Sequence, residues 1–111
     1  MVQTEHPSRE KNGIGGGVGT ATLVDWSATM PPNLNMLATV MLPPGASVGV
    51  HSHLGEAEIY RIIAGTGMYN DNGVDVEVHP GDVTMCPSGE SHGIRNIGND
   101  MLTFDAVIVG G

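Results

Sequence analysis

The sequence predicts an all-β fold, a sandwich or a barrel. Three observations carry this. Short segments rich in β-branched residues recur along the chain, several alternating apolar and polar side chains. Seventeen glycines and seven prolines punctuate them. No segment sustains the 3.6-residue period of an amphipathic helix. Short strands broken at regular intervals by turn residues are the pattern of closed or paired β-sheets. A chain of 111 residues is long enough for one domain around one core.

The elements follow in order. Residues 1–12 carry few apolar side chains and are expected to form a mobile N-terminal arm, with a single domain over 13–111. GIGGGVG (13–19) has the look of a phosphate loop. It satisfies G-x-G-x-x-G in no register, however, and no Gly-Lys-Ser/Thr follows, so it predicts a flexible hinge. TATLVDW (20–26) is rich in β-formers. NMLATVML (35–42) lies between Pro31-Pro32 and Pro43-Pro44-Gly45. SVGVHSH (47–53), EIYRIIA (58–64) and TGMYN (66–70) are the next strands. Asn70-Asp71-Asn72-Gly73 is a hairpin turn signal. VDVEV (74–78) alternates, with valines on one face and Asp75 and Glu77 on the other. After the turn His79-Pro80-Gly81-Asp82 come VTMCP (83–87), HGIRNI (92–97) and MLTFDAVIV (101–109).

Charge excludes several partners. The formal net charge is −8, and the only cations are Arg9, Lys11, Arg61 and Arg95. Nucleic acid binding needs clustered Lys and Arg to replace phosphate counterions, so no nucleic acid partner is expected. An anionic membrane surface is disfavoured for the same reason. No apolar run reaches 18 residues, and the polar N-terminus shows no secretory signal. The one cysteine, Cys86, excludes an internal disulfide and fits a cytoplasmic, reducing location.

The segment HSHLGEAE (51–58) carries the chemistry. On a strand, residues two apart share a face, about 6.5–7 Å apart along the chain, so His51 and His53 project together. Two imidazoles placed this way can converge on one ion. Gly55 allows a bend before a strand beginning near Glu58. In that strand Glu58, Tyr60 and Ile62 share a face. Glu58 is therefore the better carboxylate for the site, and Glu56, in the bend, is expected to be solvated. A third imidazole, His92, opens a later strand, and periodicity alone does not say whether that strand lies beside the first.

These residues resemble the cupin family. Gly45, His51, His53, Glu58 and Gly65 match the first cupin motif, G-x5-H-x-H-x4-E-x6-G. Gly81, Pro87, Gly89, His92 and Asn96 match the second, G-x5-P-x-G-x2-H-x3-N. All ten specified positions agree, with 15 residues between the motifs. The resemblance implies a single jelly-roll β-barrel with a metal in its mouth. The family's ligands fall on His51, His53, Glu58 and His92, and the cofactor implied is a divalent transition metal: Fe, Mn, Ni, Co or Zn. Ala57 stands where some cupins carry another histidine, so the three-histidine, one-glutamate set is the expected one. An octahedral ion held by four ligands keeps two open positions.

The function expected is metal-dependent action on a small oxygenated compound, oxygenase-type chemistry ahead of sugar isomerisation. The competing class is a non-catalytic module binding a sugar or a small acid. Tyr60, on the Glu58 face, is the candidate catalytic residue; core filling is its other reading. Arg61 and Arg95 should point away from the ligand face, which argues against a phosphorylated sugar. Cys86 and the methionines Met36, Met41, Met68, Met85 and Met101 are expected in the core, and His6 and His79 in solvent. A homodimer is expected, with TATLVDW reaching a partner's sheet across the glycine hinge.

Overall fold

The computed structural model describes residues 1–110. Ten strands run β1 (Ser8–Asn12), β2 (Thr20–Asp25), β3 (Leu34–Leu42), β4 (Ser47–Ser52), β5 (Glu56–Ala64), β6 (Gly67–Asp71), β7 (Val74–Val78), β8 (Val83–Cys86), β9 (Ser91–Asn96) and β10 (Leu102–Gly110). Among the described residues the one helical element is a 3-10 turn, Ile14–Gly16. No helix is long and apolar enough to cross a membrane. Two antiparallel sheets face one another, ordered β1-β2-β3-β10-β5-β8 and β4-β9-β6-β7. This is the predicted all-β jelly roll. Its barrel is a packed pair of sheets, not closed by hydrogen bonds.

Inner-face residues make the core: Leu23, Val40, Leu42, Tyr60, Ile62, Ile94, Leu102 and Phe104 are all buried. The alternation that predicted β5 is observed, since Glu58, Tyr60 and Ile62 face in while Arg61 and Ile63 are exposed. Asn72 and Gly73 both take positive φ, as a type I′ hairpin requires, and join β6 to β7.

Three expectations need correction. Ser8–Asn12, read within a mobile arm, is an edge strand paired antiparallel with β2. Its sequence SREKN has no apolar residue, so backbone pairing forms it with no pattern to announce it. TATLVDW carries β2, which lies between β1 and β3 of its own chain. The glycine run is a packed turn against β4, not a hinge. A Cβ on Gly17 would collide with the Ser47 carbonyl oxygen, and one on Gly49 with the Gly15 carbonyl oxygen. Of the five methionines expected in the core, Met85 and Met101 are exposed and Met41 and Met68 half-buried, while Met36, half-buried on β3, packs against the core cluster.

One irregularity positions the site. Val48 pairs with Ile94 and His51 with His92, so β4 spends three residues where β9 spends two. That is a β-bulge at Gly49-Val50. Val48 faces the core and Val50 is exposed. Strict alternation would then turn His51 outward. The extra residue restores it to the inner face, beside His92.

Candidate metal centre

His51 from β4, His53 just beyond it, Glu58 from β5 and His92 from β9 converge. One ligand atom from each lies within 4.8 Å of all the others. Glu58 Oε1 is the focus. It lies 2.7 Å from His92 Nε2, 3.2 Å from His51 Nε2 and 3.4 Å from His53 Nε2. Each ring is held from behind through Nδ1. His51 Nδ1–H donates to the Gly49 carbonyl at 2.7 Å, in the bulge itself. His53 Nδ1–H donates to Glu56 Oε1 at 2.6 Å. His92 Nδ1 bonds the Tyr69 hydroxyl at 2.7 Å. A carbonyl and a carboxylate only accept, so in the neutral rings of His51 and His53 the one proton sits on Nδ1, and the Nε2 lone pair faces the centre.

This arrangement fits a cation. His53 Nε2 is buried with no hydrogen-bond partner; its approach to Glu58 lacks hydrogen-bond alignment. A buried acceptor left unmade is costly. Three imidazole lone pairs and a carboxylate oxygen facing one point repel unless a proton or a metal lies among them. Three nitrogens and one oxygen suit divalent first-row metals. Protons express the same need. Burial raises the Glu58 carboxyl, but hydrogen bonds from His51 and His92 outweigh it and hold its pKa at about 2. The bond to Glu58 raises His51 above its ordinary 6.5, against the opposing effect of burial.

The layer behind these four residues is only partly legible in the sequence. Glu56 is not free in solvent. It opens β5, accepts from His53 and takes a further hydrogen bond at 2.6 Å from Asn35 Nδ2. An orienting carboxylate of this kind matters to a metal site. Glu56→Gln is therefore expected to weaken metal affinity by about tenfold, measured by competition with a chromophoric chelator. Tyr69 was not foreseen either, and burial pushes its phenol up to about 12. Its inward position on β6 was the only sequence signal for it.

Tyr60 is buried, stacks on the His92 ring at 4.9 Å between centroids, and donates its hydroxyl to Glu58 Oε1 at 3.3 Å. Burial, then the Glu58 charge, raises its pKa well above the usual phenol value, so it stays a proton donor. Cys86 is buried outside the four-residue group, and burial raises its thiol pKa. His79 bonds Glu77 in an exposed turn, and His6 bonds the Trp26 carbonyl.

In front of the centre lies a cavity of about 380 Å³. His51, His53, Glu58 and Tyr60 line it, together with Leu23, Met36, Val40, Phe104 and Ile108. Arg61 and Arg95 do point away. Arg9 and Lys11, however, line this cavity from β1. They pair in register with the inward residues Leu23 and Ala21 and so share their face. The pocket therefore does hold cations, carried by a strand where the sequence predicts an arm.

The cupin domain family matches residues 38–109. An oxalate-binding protein of Thermotoga maritima is 48% identical over 105 residues, covering 93% of this chain and 86% of that protein. The crystal structure of a predicted oxalate decarboxylase, also from Thermotoga maritima, superposes with a TM-score of 0.93 at 41% identity over the whole of both chains. The cupin domain of Schizosaccharomyces pombe Cnp3 shares the fold, with a TM-score of 0.76 at 16% identity over 93% of this chain and 69% of that one. With the motifs, the jelly roll and these matches in agreement, the chain belongs to the cupin family.

Proposed function

We propose that this cupin holds one divalent transition metal on His51, His53, Glu58 and His92, and that it binds a small carboxylic acid there. The observation that carries this is the convergence of three imidazoles, each fixed through Nδ1, on one buried carboxylate oxygen. The ion supplies Lewis acidity and an anchor for carboxylate oxygens. Oxalate is the first ligand to test, since a 48% identical relative is named for binding it. Arg9 and Lys11 support an anionic ligand: in a chain of net charge −8, half of its four cations line this one cavity. Calorimetry with Mn, Fe, Co, Ni and Zn, followed by oxalate, is the test. The expected result is one metal per chain and oxalate binding only to the metal-loaded protein. No stoichiometric metal overturns the reading.

The pH dependence has opposite signs with and without metal. The ion needs neutral imidazole. With His51 raised, metal affinity falls as pH drops through a value above 6.5. In the metal-free protein, the raised His51 contributes stability that is full below the unfolded value of 6.5 and lost as pH rises through the folded one. Metal titrations and thermal melts across pH 5–9 read both trends.

Turnover at the metal is the second reading, oxygenase-type ahead of isomerase-type. Isomerisation moves a substrate proton to a base. The cavity lining holds no carboxylate or imidazole outside the four-residue group. Tyr60, a buried donor, is the catalytic candidate. Oxygen uptake and carbon dioxide release from oxalate by the loaded protein check it. A cytoplasmic location belongs to the same reading, on the strength of a single buried free cysteine. So does a homodimer, because β8 is an open sheet edge carrying Val83 and Met85, 59% and 62% exposed. Light scattering gives the mass.

A further inference from the structure

We propose that the acid preferred by this pocket carries an apolar body of several carbons, seated against the inner face of β3 and β10. The inference rests on the metal-held carboxylate reading and names the ligand class for the same site. Strand register lays out the seat. Glu58 on β5 pairs with Ile108 on β10, and Ile108 pairs with Met36 on β3. Directly opposed residues stand about 5 Å apart, so an apolar row extends about 10 Å from the carboxylate across the sheet. In the next row Tyr60 pairs with Ala106, and Ala106 with Ala38. The small Ala106 side chain faces the cavity and leaves it open. Leu23, Val40 and Phe104 complete the wall.

Size and polarity agree. The cavity, about 380 Å³, has room for about a dozen waters at liquid density. A two-carbon diacid on the metal fills a small part of it. The remaining water would lie against Ile108, Met36 and Leu23, with few polar partners. Apolar ligand atoms there release that water and gain contact with the wall. The four converging residues lie at the β4 and β5 end of the cavity, while Arg9 and Lys11 line it from β1, so with the acid head at the metal the body lies along the apolar stretch of β10 and β3 between them.

The test holds the head constant and lengthens the body. Straight-chain 2-oxo acids from three to eight carbons are titrated into the metal-loaded protein, beside oxalate. Affinity is expected to rise by up to about fourfold per methylene until the cavity is full. Met36→Gln, close to isosteric and half-buried, should lower affinity for the eight-carbon acid several-fold more than it lowers affinity for oxalate. Ala106→Leu should cut off the longer acids while metal content stays at one per chain. Oxalate binding with a flat chain-length series overturns the apolar seat and leaves the metal-held carboxylate reading standing. Failure of every acid, oxalate included, overturns both. Should Ala106→Leu fail to fold, Met36→Gln and the chain-length series decide alone.

Discussion

Glu58→Gln is expected to abolish retention of metal through dialysis, with affinity falling by more than about 100-fold, beyond the loss ascribed to orienting groups. Glu58 is the one anion in the four-residue group and is 4% exposed. Its Oε1 faces all three Nε2 atoms. An amide keeps the shape and removes the charge. A divalent ion would then keep its full charge in a site where two of the four residues are buried, and desolvation opposes that. The contrast with Glu56→Gln is the sharper reading. Both substitutions neutralise one carboxylate within three residues of chain, and the loss should be an order of magnitude larger at Glu58. The reverse order would mean that Glu56 is the ligand. Elemental analysis and chelator competition on folded protein, with the fold checked by circular dichroism, give the answer.

Gly49→Ala is expected to destabilise the metal-free protein by about 3 kcal/mol, which lowers the melting temperature by about 12 °C or more. Added bulk in a packed interior costs most where backbone must move to receive it. The new methyl would meet the Gly15 carbonyl and, at 2.8 Å, the Gly17 amide nitrogen. Neither can rotate away as a side-chain tip can. The displaced residue also supplies the carbonyl that holds His51 Nδ1, so metal affinity should fall with stability. Gly16→Ala is the control. Gly16 has φ +81 and nothing within 4 Å of its would-be Cβ, so only backbone strain, about 1–2 kcal/mol, is added. A smaller loss at Gly49 than at Gly16 would show that the contact with the turn gives way easily.

The sequence made the strands legible wherever a buried face imposed alternation, as in β5 and β10. It made the four converging residues legible because histidine and glutamate at those spacings resemble a known motif pair. What it hid has a common cause, since each hidden feature depends on a partner distant in the chain. β1 exists only because β2 presents an edge, and its own residues are polar throughout. The bulge at Gly49-Val50 is defined against β9 and signalled locally by nothing more than a glycine inside a strand. Glu56 reads as solvated in the sequence because Gly55 predicts a bend up to Glu58, whereas β5 begins at Glu56. Once the strand begins at Glu56, its carboxylate turns back to His53. Arg9 and Lys11 followed β1 out of sight and returned with it.

The place of β10 bears on how the molecule assembles in time. Leu102–Gly110 runs through the middle of the six-stranded sheet, between β3 and β5. Thr39 reaches Asp105 across 66 residues of chain, and the same strand aligns Ala106 with Tyr60. During synthesis β3 and β5 therefore emerge as unpaired edges, and the strand that joins them follows about forty residues after β5. Loop-closure entropy is spent on these long-range pairings before packing returns it. Folding on the millisecond-to-second scale of non-local β topologies is the consequence. The four candidate ligands gather late as well, because Glu58 takes its final position in the sheet once β10 has docked beside it.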